Sequence, residues 1–282
     1  MSNYRYWTKF HNGKEREFFE CKPHTLRLHK RINKLLNINK DTAPTYLKSG
    51  VKGMSYIKNI NAHQESKFFL LVDIKSFYPS ITKSKIKTSL IKHYHQTSDV
   101  AEFLSNIITV KQLKSTQRAL PTGSPLSQNM AYFINKPMFD KLYDIATVYN
   151  ITMTVYVDDI SFSSKATIPF KFLNKVIYTI KKYGYDIASN KLYYGKLKRK
   201  SNDDKSKRKL NITGAQFTKN GVFLTASRNK SIKKKRNILI SKKAKFIPYE
   251  KELNSLISSI YQAILLNPKY RRYMKLIKSE FE

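Results

Sequence analysis

Two short apolar runs that each lead into aspartate constrain this chain more than any other feature. Phe68-Phe69-Leu70-Leu71-Val72 is continuous and apolar, as a buried strand would be, and Asp73 follows it directly. Far downstream, Thr152 to Ser163 reads as two strands joined at Asp158-Asp159. Acids at strand ends can converge at one edge of a sheet even when they are far apart in sequence. Carboxylates gathered in this way repel each other unless cations lie between them. Hard oxygen donors with few His or Cys nearby suit Mg²⁺, which normally keeps water and substrate phosphates in its shell. Two such ions ~3.5–4 Å apart would stabilise both the attacking and the leaving oxygen of a phosphoryl transfer. An Asp-Asp pair is also ordinary turn chemistry, so this pattern alone leaves both readings open.

The charge balance points to a polyanion. The 282 residues include 54 Lys+Arg against 19 Asp+Glu, a formal net charge of +35. A globular chain this basic repels itself unless something neutralises it, and nucleic acid is favoured over an anionic membrane surface. Hydrophobic residues at 41% and aromatics at 13% can furnish a core, which excludes intrinsic disorder. A single cysteine, Cys21, excludes an intrachain disulfide. The first residues lack an apolar leader pattern, and no apolar run approaches the ~18 residues of a membrane span. The expectation is a cytoplasmic protein with no membrane partner. Residues 181–251 concentrate the charge, with 22 Lys/Arg against four acids.

The element pattern is mixed. Tyr4 to Leu28 reads as a hairpin around Asn12-Gly13. Helices are expected over Thr82 to His95, from an N-cap at Ser98 to Val110, over 128–146, and from Pro169 to Gly184. Short strands should bracket Asn220-Gly221. The tail is helical, with Leu253, Leu256, Ile257, Ile260, Tyr261, Ile264 and Leu265 as its apolar stripe. The fold class is α+β. Trp7 and Cys21 read as packing residues. His93 and His95 would not share a helix face, so no zinc site is inferred.

Further blocks accompany the acids. They are Asp73-Ile74-Lys75-Ser76-Phe77-Tyr78-Pro79-Ser80-Ile81, Leu120-Pro121-Thr122-Gly123-Ser124-Pro125-Leu126-Ser127, Tyr156-Val157-Asp158-Asp159, and Gly184-Tyr185-Asp186-Ile187 with Lys191. Their order and spacing resemble the blocks of reverse transcriptases over nearly the whole chain. Within that family the likeness is greatest to bacterial retron enzymes, through Asn61-Ala62-His63 and Ile212-Thr213-Gly214. The His stands two positions early, with Glu65 where the retron pattern has His. Thr122 and Gln128 stand where many relatives have Gln and Pro.

The resemblance implies a right-hand polymerase with a small antiparallel palm sheet and a helical C-terminal thumb. Fingers would comprise 1–60 and 83–120, palm 61–82 and 121–225, and thumb 226–282. Asp73 and Asp158 would bridge two Mg²⁺ ions, with Asp159 in support and the Ile74 carbonyl as an extra ligand. Tyr78 would exclude a ribose 2′-hydroxyl, unless it is simply core. Lys9 and Arg16 would reach the incoming triphosphate, unless they are two more solvated charges. Thr122 and Gly123 would shape the loop beside the nascent pair, and Lys191 would be a general acid for pyrophosphate or else a surface lysine. Lys233, Lys234, Lys235, Arg236, Lys242 and Lys243 would face RNA, on a helix whose Ile232 and Leu239 are buried. The implied reaction is RNA-directed DNA synthesis from deoxynucleoside triphosphates. A dedicated noncoding RNA would be template and primer, giving a branched RNA–DNA hybrid (msDNA) in anti-phage defence with an effector protein. The rivals are a nonretron defence reverse transcriptase, protein-primed for instance, and a nonenzymatic RNA-binding scaffold.

Overall fold

The computed structural model describes residues 3–281 except 12–13, 37, 39–40, 114, 198–209 and 219. The chain opens on a hairpin of β1 (Tyr4–His11) and β2 (Lys14–Cys21), in which Trp7 pairs with Phe18 and Lys9 with Arg16. The turn at Asn12-Gly13 lies outside the described residues. The hairpin stops short of the expected Leu28, because Pro23 starts helix α1 (Pro23–Leu36). Proline's fixed φ suits a first helical turn, where its missing N–H costs nothing. Trp7 is not a core residue either. It is 46% exposed and stacks on Phe18, whereas Cys21 is buried.

Helix α2 (Tyr56–Asn61), capped by the Ser55 hydroxyl, precedes β3 (Phe68–Asp73). Then come α3 (Phe77–Ser80), α4 (Lys83–Tyr94), α5 (Ser98–Ile108) and the two-residue strands β4 (Val110–Lys111) and β5 (Arg118–Ala119). Thr97, not Ser98, occupies the N-cap of α5. Helix α6 (Ser127–Val148) is longer than expected and runs through Pro137. Proline cannot donate to the Phe133 carbonyl one turn back, and the Tyr94 hydroxyl donates there instead.

Strands β6 (Thr152–Tyr156) and β7 (Asp159–Ser164) precede α7 (Phe170–Lys182), which ends before Gly184 at φ +74°. The chain continues with β8 (Tyr193–Lys196), β9 (Asn211–Ile212), β10 (Ala215–Thr218) and β11 (Gly221–Leu224). Helices α8 (Ala226–Ala244), α9 (Glu250–Leu266) and α10 (Tyr270–Phe281) close it. In α9 the buried stripe is Leu253, Leu256, Ile260, Ala263 and Leu266, while Tyr261 and Leu265 face solvent.

The central sheet is antiparallel with order β6-β7-β3-β8, and a second has order β11-β10-β9. Strand β3 explains its own sequence. Leu70 and Val72 pack into a core with α6 and α7, while Phe69 faces a second core and meets Phe217 edge-on at 5.6 Å. Both faces are covered, so the strand is apolar throughout rather than alternating. The second core joins β9–β11 to α8–α10. No helix among the described residues is long and apolar enough to cross a membrane.

Candidate active site

The three acids meet at one end of the central sheet. Asp73 and Asp159 are cross-strand partners at the last register position of β3 and β7. The β6–β7 connection is only Val157-Asp158, so Asp158 lies in the turn and Asp159 already opens β7. Val157 takes φ +61°, which is strained for a β-branched residue. Ser49 holds it there, its hydroxyl accepting the Val157 N–H at 2.9 Å. Residues 46–48 also run beside β6, with the Val155 N–H donating to the Tyr46 carbonyl at 2.8 Å. Nothing in the sequence around Ser49 carries a periodic signal, and the sequence reading missed it.

Ile74 extends this edge. Its N–H donates to the Asp158 carbonyl at 3.4 Å, and it bridges to Ile187 on its other side. An extended residue directs its own C=O and N–H to the same side, so the Ile74 carbonyl is turned toward the Asp158 turn. The Ile187 bridge also delivers Lys191. The Ala188 N–H donates to the Asp73 carbonyl at 2.9 Å, and the Lys191 ammonium pairs with the Asp73 carboxylate.

The acids feel one another. Burial and then the charge on Asp73 raise the pKa of Asp158, while Lys191 and Arg16 oppose them. Burial, then Asp158 and Asp73, push Asp159 up to about 7. A cleft of about 370 Å³ opens beside them, lined by Asp73, Asp159, Asn190, Lys191, Asn211 and Thr213 among others. No three His, Cys, Asp or Glu side chains among the described residues are drawn close enough to hold a metal ion unaided. Mg²⁺ takes one or two carboxylates and completes its shell with water and substrate phosphates. Mutually repelling, part-buried acids with one lysine as counter-charge are a donor set that such cations fit.

The flanking residues are placed as follows. Lys9 and Arg16 are exposed on one face of the hairpin, and Arg16 is near enough to Asp158 to lower its pKa. Tyr78 is half-buried beside Phe77, and burial with the Asp158 charge pushes its phenol to about 12. The loop at Thr122-Gly123 anchors the hairpin. The Phe19 N–H donates to the Thr122 carbonyl at 2.8 Å, and a Cβ on Gly123 (φ +106°) would lie 3.1 Å from the Phe19 carbonyl oxygen.

The α8 cations are not a uniform free face. Lys233 and Lys234 are exposed. Arg236 pairs with both Glu280 carboxylate oxygens, at 2.9 and 2.8 Å, and Lys242 with Glu252 at 2.6 Å. Lys235 donates to Ser259 at 2.7 Å, and Lys243 to the Glu280 carbonyl.

Comparison with known proteins identifies this arrangement. The profile of the family described as reverse transcriptase (RNA-dependent DNA polymerase) matches residues 9–217. The chain belongs to this family. It is similar to the retron Se72 reverse transcriptase of Salmonella heidelberg (strain 579083-10), 29% identical over 167 residues, covering 59% of this chain and 42% of that protein. It is also similar to the retron Mx162 reverse transcriptase of Myxococcus xanthus, 30% identical over 125 residues, covering 40% of this chain and 26% of that one. The matched regions thus span less than half of either relative. Among solved structures, the telomerase of Candida albicans, in complex with a TWJ fragment of telomeric RNA, superposes with a TM-score of 0.54. That match has 12% identity and covers 90% of this chain and 54% of that one. The reverse transcriptase fold is therefore of the right-hand polymerase type, as the sequence resemblance implied.

Proposed function

We propose that this chain is an RNA-directed DNA polymerase of retron type. The observation that carries the reading is the meeting of Asp73, Asp158 and Asp159 at one sheet edge, within electrostatic reach of Arg16 on the hairpin. In this reading residues 1–60 and 83–120 act as fingers, 61–82 and 121–225 as palm, and 226–282 as thumb. Asp73, Asp158, Asp159 and the Ile74 carbonyl would hold two Mg²⁺ ions, which would supply charge neutralisation for the attacking and leaving oxygens. Arg16 and Lys9 grip the triphosphate of the incoming deoxynucleotide. Lys191 hands a proton to the departing pyrophosphate. A structured noncoding RNA is template and primer, synthesis starts from a 2′-hydroxyl of an internal guanosine, and the product is a branched RNA–DNA hybrid. In the cytoplasm, an effector protein would complete an anti-phage device. Sequencing the nucleic acid that copurifies with the protein tests this. A branched DNA–RNA species is expected, and unbranched DNA would favour a nonretron defence enzyme.

Tyr78 tests the sugar gate. Its place beside Asp158, not wholly in the core, favours contact with the nucleotide. Tyr78→Ala is expected to weaken discrimination against ribonucleotides by about 10–100-fold in kcat/KM. Unchanged discrimination in a folded, active variant would return Tyr78 to the core.

The thumb cations divide into two groups with different expected outcomes. Lys233→Ala with Lys234→Ala should weaken binding of the cognate RNA and lower its log–log salt slope by roughly 0.7–0.9 for each phosphate no longer neutralised, with melting unchanged. Arg236→Ala should instead lower stability by about 1 kcal/mol, because its part-exposed partner Glu280 loses a two-pronged hydrogen bond. Salt titrations and thermal melts on the same variants separate these roles.

A further inference from the structure

The Ile212-Thr213-Gly214 block takes no part in the chemistry above, yet the structure builds a dense junction around it. Thr213 and Gly214 connect β9 to β10 with φ of +44° and +82°. A Cβ built on Gly214 would lie 2.7, 2.8 and 2.9 Å from three atoms of the Arg228 guanidinium. Arg228, in the first turn of α8, rests with its guanidinium carbon 4.6 Å from the centre of the Tyr56 ring. Its Nη2 donates to the Thr213 carbonyl at 3.4 Å. Tyr56, which opens α2, donates its hydroxyl to Gln262 of α9 at 2.8 Å. Asn59, fully buried, donates to the Thr213 hydroxyl at 3.4 Å. Thr213 itself lines the cleft that holds Asp73, Asp159 and Lys191.

One guanidinium therefore lies against α2 and the β9–β10 turn and, through Tyr56, is linked to α9. We infer that Arg228 is a positioning residue: it fixes the Thr213–Gly214 turn at the end of the acid cleft and sets the angle at which α8–α10 meet the sheet. A primer–template duplex then lies over the acids; in that last respect the inference rests on the polymerase reading. A planar guanidinium offers its face to Tyr56 and an in-plane N–H to the Thr213 carbonyl, a fork geometry that a point-charge ammonium at the same place does not share. Glycine at 214 has a second reason beyond its positive φ, since any side chain there would evict the guanidinium.

The rival role for Arg228 is a plain phosphate contact, and the variants separate the two. The probe is a fluorescein-labelled DNA primer annealed to an RNA template, followed by anisotropy with the full chain. Arg228→Ala and Arg228→Lys should both raise Kd about tenfold and KM in step, while kcat at saturation stays within about threefold. Gly214→Ala should weaken binding similarly while leaving the salt slope unchanged, because no cation is removed. The double variant Gly214→Ala/Arg228→Ala should bind no worse than the weaker single, since both remove one interaction. Should a variant at 214 or 228 melt early, Tyr56→Leu removes the stacking surface from the far side and is expected to weaken binding likewise. Normal affinity in Arg228→Lys, or strictly additive losses in the double variant, would overturn the inference. If the wild type binds the duplex without extending it and the variants still weaken binding, the positioning role stands and the polymerase reading falls.

Discussion

Asp158→Ala combined with Asp159→Ala is expected to abolish primer extension, by more than about 10³-fold, and to leave RNA affinity within about twofold of wild type. The two effects should separate because, in the proposed reading, the acids serve the chemical step, whereas the +35 charge spread over the chain serves binding. The same variant answers whether these acids hold the fold. Asp159 titrates at about 7 in the folded protein against an ordinary 3.8, so the folded state keeps a proton that the unfolded chain releases. Without metal, stability from this group is present at low pH and is lost as pH rises from about 4 through about 7. The double variant should therefore melt higher than wild type at pH 8 in chelator. Loss of RNA binding together with a lower melting temperature would mean that the acids are structural.

His63→Ala should destabilise the protein by about 3–4 kcal/mol, read from urea denaturation. The ring is wholly buried, with Nδ1 2.7 Å from the Ser163 hydroxyl on β7 and Nε2 2.7 Å from the Thr154 hydroxyl on β6. Alanine leaves a cavity next to the strands that flank Asp158. It orphans the buried Thr154 hydroxyl, while Ser163 keeps its second partner, the Ser66 hydroxyl at 2.8 Å. Burial, then the Lys48 charge, lowers the ring's pKa to about 3, so it stays neutral when folded. Its contribution is lost as pH falls below 6.5, where only the unfolded chain takes up the proton. A loss under about 1 kcal/mol would show that the sheet closes over the gap. The histidine of the Asn61-Ala62-His63 block thus braces the β6–β7 hairpin through Ser163 and Thr154.

Local signals explain what the sequence made legible. The apolar run into Asp73, the strand–turn–strand around Asp158 and the hairpin that sets Lys9 opposite Arg16 are written within a few residues each. Long-range partners left no such trace. Ser49 under Val157, Glu280 on Arg236 and the Tyr94 hydroxyl at the Pro137 break each join segments that are distant in sequence. Their side chains look like ordinary surface polar residues until the fold brings them together. The α8 lysines and arginine show the cost of reading charge without partners. As a run they promise one cationic face, but acids on α9 and α10 claim two of its members. The extent of α1 was hidden for a simpler reason: Pro23 reads as a hairpin or turn residue as readily as a first helical position.

Extension of a labelled DNA primer on an RNA template by the purified chain, with deoxynucleotides or ribonucleotides and with Mg²⁺ or a chelator, tests the acid site most directly. Extension is expected with deoxynucleotides and Mg²⁺, little with ribonucleotides, and none in chelator or in the Asp158→Ala/Asp159→Ala variant. A well-folded wild-type protein that binds the primer–template and never extends it would contradict the polymerase reading, leaving a fold that holds RNA without copying it.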